Sequence, residues 1–432
     1  MRLTNGKVIR GGAVRNDLDV LIEDGRIRLL RAGERQGGPA VDLAGAYLLP
    51  GFVEIHTHGA GLFEFTMGQY DPRTGEFDGS EEVYARELPN YATRRARTGV
   101  TGLYLGTWAS PIERQKFCFG QLRRYMDGGT NGSDGSMIFG GLLEGTFINA
   151  RMAGAQNPDF VFEPDLALFE GVNETGVVRL ANVTPDYGEA SCALIESLSR
   201  RGISVGAGHT NATYDQFTDA IGAGLKYCIH FLNGPIGSSH KTFNGGGAVE
   251  AVLREDIYAE LICDGVHVAP AYVRDVLARK GFERVMAVTD AMFSSQAEGV
   301  EEFAISGMRG RVDPSGRFVY VVDRDPITLF SSVLTMDQAF SNLLSWLTQP
   351  TEGVWYRHEA MALDEAVAAV SRCCSTNIVE MLRRKGGDDL ETGEIRDGGW
   401  ADLVVARIDG GPGEYRLEVR DVYVRGRNVV GS

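Results

Sequence analysis

The chain has 432 residues, 43% of them hydrophobic, and a formal net charge of −15. The length exceeds one small domain and suits a barrel of about 250 residues with a smaller second unit. The acidic balance argues against nucleic acid or an anionic membrane surface as partner, because both require a basic face. No apolar run of about 18 residues offers a membrane span.

The first 50 residues read as short strands. Asp19–Glu23 and Arg26–Leu30 flank an Asp24-Gly25 turn, which is a hairpin signal. The opening MRLTNGKVIRGG has no long apolar stretch followed by a small-residue cleavage site, so a cytoplasmic location is expected. At the other end, Ala401–Val405 and Val419–Val424 read as strands, with Arg425-Gly426 as a turn. Chain ends often lie close together. Residues 1–50 and 391–432 are therefore expected to share one small β-domain.

Residues 51–390 have another rhythm. Eight apolar, β-rich runs alternate with amphipathic stretches: Phe52–His56, Thr101–Thr107, Ser136–Glu144, Val177–Val183, Ile203–Gly208, Tyr227–Leu232, Tyr258–Cys263 and Arg284–Asp290. Such alternation predicts a parallel sheet, and eight repeats suggest closure into a barrel of the α/β class. Helices are predicted over Thr213–Ala220 and Asp364–Leu382 from apolar spacing. The six cysteines, Cys118, Cys192, Cys228, Cys263, Cys373 and Cys374, form no C-x-x-C pair and are expected to be reduced.

There are seven histidines, and six of them (His56, His58, His209, His230, His240 and His267) fall at or just beyond the end of a predicted strand or in the loop that follows it. Barrel enzymes build their sites at that end. His56-Thr57-His58 places two imidazoles on one side of an extended segment, about 6–7 Å apart along the chain, where they can grip one metal. Alone, the motif reads more often as two polar residues opening a loop. Glu144 closes an apolar run, and a buried carboxylate is costly unless paired. With His209 and His230 it makes three ligands with one open position, the pattern of a catalytic metal. Asp290, ending the eighth run, suits a carboxylate that moves a proton beside a metal, although a helix N-cap Asp would look alike. His267 suits a sugar hydroxyl or a phosphate.

These residues sit in a recognisable order. Pro50–Gly59 resembles the opening strand of the amidohydrolase superfamily. Leu143-Glu144-Gly145, Gly208–Ala212, His230–Asn233, Asp264–His267, Val288–Ala291, Leu334–Asp337 and Gly399–Val405 resemble the N-acetylglucosamine-6-phosphate deacetylase family, over nearly the whole chain. The resemblance implies a TIM barrel with a small β-sandwich built from both termini. It implies metal ligation by Glu144, His209 and His230, with His56 and His58 placed to hold a second ion bridged by Glu144. The expected cofactor is one or two divalent ions per subunit, zinc foremost. Asp290 becomes the acid/base, and His267, Asn233 and the backbone at Gly234 become substrate contacts. The substrate is expected to be an N-acetylated amino sugar phosphate and the assembly a homodimer.

Two departures stand out. Many members carry a histidine twelve residues after the metal glutamate, where this chain has Gln156, a donor without charge. The family's R-E-P-G segment, whose Arg holds the sugar phosphate, is not visible after Asn233. The chain reads Gly237–Gly247 instead, with Ser238, Ser239, His240 and Lys241 as substitute phosphate contacts or as a polar loop. Gln69–Ser80 reads as a long loop near the pocket. These features keep three other readings open: a same-fold amidohydrolase acting on another N-acyl sugar or a cyclic amide, a phosphotriesterase- or deaminase-like hydrolase, and a non-catalytic sugar-binding relative. A glutamate ligand on the third run weakens the deaminase reading.

Overall fold

The structure, a computed structural model, describes residues 1–34, 38–233, 246–324, 327–383 and 390–431. Its centre is one eight-stranded sheet. The strands are β1 (Phe52–Glu54), β2 (Val100–Gly106), β3 (Met137–Phe147), β4 (Val178–Val183), β5 (Ser204–Ala207), β6 (Leu225–Cys228), β7 (Tyr258–Ile262) and β8 (Val285–Val288). They lie side by side in chain order and pair in parallel throughout. The outermost strands also meet. The Asp290 N–H donates to the His56 carbonyl at 2.9 Å, and Thr57 bridges Ala291 in parallel.

Parallel neighbours need a crossover, and here each one contains a helix. After β1 to β4 come Glu81–Ala96, Ile112–Asp127, Leu166–Val172 and Glu189–Arg200. After β5 to β8 come Tyr214–Ala223, Ala248–Arg254, Pro270–Lys280 and Met336–Leu347. Helices cover the strands, which explains why the strand residues are almost all apolar: Leu103, Leu105, Leu142, Val205 and Leu261 are fully buried. The helix after β5 starts at a capping box between Thr213 and Gln216 and ends at left-handed Gly224. The predicted helix over Asp364–Leu382 is present in three parts. Leu363–Ser371 passes through a wider π turn, Arg372–Thr376, into Asn377–Leu382. Just past that turn Asn377 Nδ2 donates to the Phe282 and Val285 carbonyls at 2.5 and 2.7 Å.

The two ends of the chain meet in a six-stranded sheet, where Tyr47–Pro50 pairs antiparallel with Leu403–Asp409. A four-stranded sheet carries the hairpin Leu18–Glu23/Arg26–Arg31. Period-two alternation divides the shared strands between two cores. Leu49 and Val404 face the large core; Leu48, Leu403 and Val405 face a small one with Leu3, Val20 and Tyr423.

Two antiparallel excursions rise above the sheet. The segment expected as a long loop after β1 is ordered, with Gly59–Ala60, Phe63–Glu64, Gly68–Asp71 and Glu76–Asp78 pairing in series. After β8, Glu302–Ile305, Met308–Val312 and Val319–Val321 form a three-stranded sheet that the sequence reading did not anticipate. Both contribute to an aromatic cluster containing Tyr70, Trp108, Phe293, Phe303 and Phe330. The cysteines are all free. Among the described residues no helix is long and apolar enough to cross a membrane.

Candidate metal centre

The strand ends aim their side chains into one point. His56 and His58 follow β1, His209 follows β5, His230 follows β6 and Asp290 follows β8. Glu144 differs from expectation, because β3 does not end there; it runs on to Phe147, with its register against β4 shifting between Leu143 and Phe147. Strand β6 also stops earlier than expected, at Cys228, so His230 stands on the turn beyond it. His209, His230 and Asp290 have φ of 51°, 30° and 49°. Non-glycine residues adopt this left-handed backbone rarely, at a cost of order 1–3 kcal/mol each. Here it falls two residues beyond the end of β5, β6 and β8, at the residues whose own side chains enter the site.

Four imidazole Nε2 atoms surround one carboxylate. Glu144 Oε2 lies 3.2 Å from His56 Nε2 and 3.1 Å from His58 Nε2. Its other oxygen, Oε1, lies 3.4 Å from His209 Nε2 and 3.5 Å from His230 Nε2. Asp290 Oδ1 stands 3.1 Å from His58 Nε2 and 3.5 Å from His56 Nε2. Each ring is fixed through its opposite nitrogen. His56 Nδ1 bonds Glu260 Oε2 at 2.8 Å, His58 Nδ1 the Gly106 carbonyl at 3.1 Å, His209 Nδ1 the Met152 carbonyl at 3.1 Å and His230 Nδ1 the Asn233 carbonyl at 2.9 Å. Metal-binding histidines are oriented this way, with Nδ1 anchored and Nε2 presented.

The donor set fits divalent ions. His56, Glu144 and His230 form one candidate cluster, and His56, His58 and Asp290 a second. His58 Nε2 is fully buried and forms no well-aligned hydrogen bond despite two carboxylate oxygens nearby. A buried imidazole nitrogen between two carboxylates fits a metal-ligand atom. The electrostatics agree. Burial opposes charge on His56, but Glu260, Glu144 and Asp290 outweigh it and push its pKa well above the ordinary value. Burial likewise opposes charge on His58, and Asp290 and Glu144 raise it to about 10. Burial would raise Glu144, yet His56, His209 and His230 hold it well below the usual range. Asp290 is lowered against its burial by His56 and His58. The pocket floor thus draws positive charge, which a metal supplies.

Three other predicted residues line the same cavity of about 400 Å³. Gln156 is buried, and its Oε1 accepts from the Ala109 N–H at 2.7 Å. This leaves its amide nitrogen as the group available to a ligand. Gly145, φ 83°, permits the packing, since a Cβ there would lie 2.4 Å from the Ala109 nitrogen. Asn233 Nδ2 is buried without a partner among the described residues. His267 is held by Asp264 through Nδ1 at 2.6 Å, and Asp264 also accepts its backbone N–H at 2.8 Å. Gly234, Ser238, Ser239, His240 and Lys241 lie outside the described residues.

Several residues of the site escaped the sequence reading. Glu260, in the middle of apolar β7, holds His56 and also accepts the His230 N–H at 3.0 Å. A carboxylate inside Tyr-Ala-Glu-Leu-Ile is the same anomaly that marked Glu144. Trp108 stacks on His58 with ring centroids 4.2 Å apart and donates from Nε1 to Glu64 at 2.8 Å. Glu64 is fully buried, and burial raises its pKa to about 8 against the pull of His58. Ser331 Oγ donates to Asp290 Oδ1 at 3.1 Å. Nothing local in the sequence marks Trp108, Glu64 or Ser331.

No family model matches the chain. Curated relatives do. An N-acetylglucosamine-6-phosphate deacetylase of Lysinibacillus sphaericus is 27% identical over 349 residues, covering 79% of this chain and 82% of the relative. An N-acetylgalactosamine-6-phosphate deacetylase of Escherichia coli O157:H7 is 26% identical over 69% of this chain and 72% of its own length. Among solved structures, a mutant N-acetyl-D-glucosamine-6-phosphate deacetylase of Mycobacterium smegmatis, in complex with N-acetyl-D-glucosamine-6-phosphate, superposes with a TM-score of 0.80. It is 24% identical and covers 100% of this chain and 99% of its own.

Proposed function

We propose that this chain, which belongs to the N-acetylglucosamine-6-phosphate deacetylase family, hydrolyses the acetamide of N-acetylglucosamine-6-phosphate to glucosamine-6-phosphate and acetate. The observation that carries the reading is the convergence of four imidazoles and Asp290 on Glu144 at the floor of a sugar-sized cavity. We read the eight-stranded sheet as a TIM barrel and residues 1–50 with 391–432 as its β-sandwich companion, acting in the cytoplasm as a homodimer.

Glu144, His209 and His230 would hold one divalent ion. His56, His58 and Asp290, with the second oxygen of Glu144, would hold another, zinc being the expected metal. When bound, such an ion supplies Lewis acidity toward the amide oxygen and acidifies the attacking water. The protein's own groups do the rest. Asp290, kept anionic by His56 and His58, takes a proton from the attacking water and returns it to the departing amine. Ser331 Oγ lies against both the Asp290 backbone carbonyl and its Oδ1 and so holds this residue in place. Gln156 offers its amide N–H, Asn233 its Nδ2, which has no partner among the described residues, and His267 its Nε2 to substrate oxygens. Glu260 holds His56 in place while these groups act.

A second reading follows from Gln156 standing where many family members have histidine. It is the same hydrolysis on a related N-acyl sugar, such as the galactosamine epimer. Acetate release measured from N-acetylglucosamine-6-phosphate, N-acetylgalactosamine-6-phosphate and unphosphorylated N-acetylglucosamine separates these. Turnover of the first supports the primary reading. Turnover of the second alone supports the other. No release by zinc-loaded protein from any of the three removes both.

A further inference from the structure

The chemistry above leaves two cations at the cavity without a role. Arg151 stands on the turn Ala150–Met152 that follows β3, and Arg324 on the segment following the strand Val319–Val321. Both line the cavity that holds Glu144, His209, His230 and Asp290, and no other Lys or Arg lines it among the described residues. Neither is paired with a carboxylate among those residues. Several arginines on the outer surface are paired, such as Arg123 with Asp127 and Arg201 with Glu170, whereas these two line the cavity with no carboxylate partner among the described residues. Arg324 is aimed. Its Nη1 donates to the Gly154 carbonyl at 3.1 Å, which ties the excursion after β8 to the loop after β3 and leaves most of its five donors unused.

We infer that Arg151 and Arg324 form the subsite for the phosphate of the substrate, gripping it from the loops after β3 and β8. The inference rests on the sugar-phosphate reading of the site. In a 2-acetamido sugar 6-phosphate, the acetamide and the phosphate project from opposite ends of the molecule. With the acetamide carbonyl against Glu144 and Asp290 at the floor, the phosphate belongs at the mouth, where the two guanidinium groups are. The floor is taken up by the acetamide and the metal-binding groups; away from it the phosphate meets two planar forks suited to bidentate contact. The sequence departs from its family by lacking the R-E-P-G arginine after Asn233. Cations on two other loops restore the missing charge. The tether to Gly154 adds a link, since Gln156, two residues on, is itself locked to Ala109. An Arg324 that closes on phosphate would steady the loop that presents the Gln156 amide.

The test compares wild type, Arg151→Ala, Arg324→Ala, the double variant and Lys241→Ala on N-acetylglucosamine-6-phosphate and on unphosphorylated N-acetylglucosamine. Each arginine variant is expected to raise KM for the phosphorylated sugar about ten- to hundredfold and to leave kcat/KM for the unphosphorylated sugar within about twofold. Equal losses on both sugars, no loss on either, or a loss confined to Lys241→Ala would overturn the assignment. A second readout needs no turnover. Glucose-6-phosphate, which has no acetamide, is titrated into each protein by calorimetry, and the double variant should bind at least about tenfold more weakly than wild type. If wild type releases acetate from neither sugar, the deacetylase reading falls, while the titration still decides the arginines: unchanged binding in the double variant, or no binding by wild type, refutes them.

Discussion

His209 and His230 meet Nε2 to Nε2 at 3.1 Å, although each ring's Nδ1 already faces a backbone carbonyl. A carbonyl only accepts, so both Nδ1 atoms carry hydrogen, and in the neutral rings both Nε2 atoms present lone pairs to each other. Glu144 Oε1, 3.4 and 3.5 Å away, adds a third source of electron density. The arrangement is repulsive unless a cation lies among the three, as a metal site requires. The first prediction follows directly. Dialysis against a chelator should strip the ion, abolish acetate release and lower the melting temperature, and zinc should restore all three. Ligand binding to the folded state alone stabilises by about 4 kcal/mol when the free ion is 1,000-fold above its Kd. A metal-free protein by elemental analysis that melts identically with and without zinc would contradict the assignment.

Asp290 touches both β1 imidazoles yet also faces the cavity. Replacement by Asn keeps the shape and removes the base. Turnover should fall about 10²- to 10⁴-fold with at least one ion retained. Kinetics paired with elemental analysis checks this; retained turnover would exclude Asp290 from proton transfer.

Glu260 never reaches the cavity, but it anchors His56 and receives the His230 N–H. Removing its charge by Glu260→Gln should weaken metal binding about 10- to 100-fold while leaving the helical circular dichroism intact. Titration of zinc against a competing chelator measures the change. Wild-type affinity in the variant would mean that His56 needs no anchor.

Trp108 packs on His58, meets Phe330 edge-on and supplies the hydrogen bond to buried Glu64. Trp108→Leu removes ring volume and leaves one Glu64 oxygen without its donor. The expected loss of stability is about 2–4 kcal/mol, read by denaturant unfolding, together with a drop in metal occupancy as His58 loosens. A variant as stable as wild type would show that the stack is incidental.

Local pattern carried a large part of this protein. The eight apolar runs correspond one for one to the eight parallel strands, because strands covered on both faces must be apolar along their length. The hairpin at Asp24-Gly25 and the helix capped by Thr213 form where turn and cap chemistry put them. Polar residues that interrupt apolar runs mark function, because burying them is costly without a partner. Glu144 was legible on that ground, and His56, His58, His209, His230 and Asp290 on their place at or just beyond strand ends.

What tertiary structure alone decided is how those residues meet and what surrounds them. Glu144, inside a β3 that runs on to Phe147, turns one oxygen to the β1 histidines and the other to His209 and His230, which stand in left-handed backbone just beyond β5 and β6. Glu260 is 204 residues from His56 and Trp108 is 44 from Glu64, so no periodicity within a segment relates them. The ordered excursion after β8 brings Arg324 to Gly154 across 170 residues. Sequence determines which residues are apolar, which can ligate and where turns fall, since those are properties of a residue and its neighbours. The direction of a side chain at the end of a strand depends on pairing register and on the loops packed above it, and only the folded chain sets these.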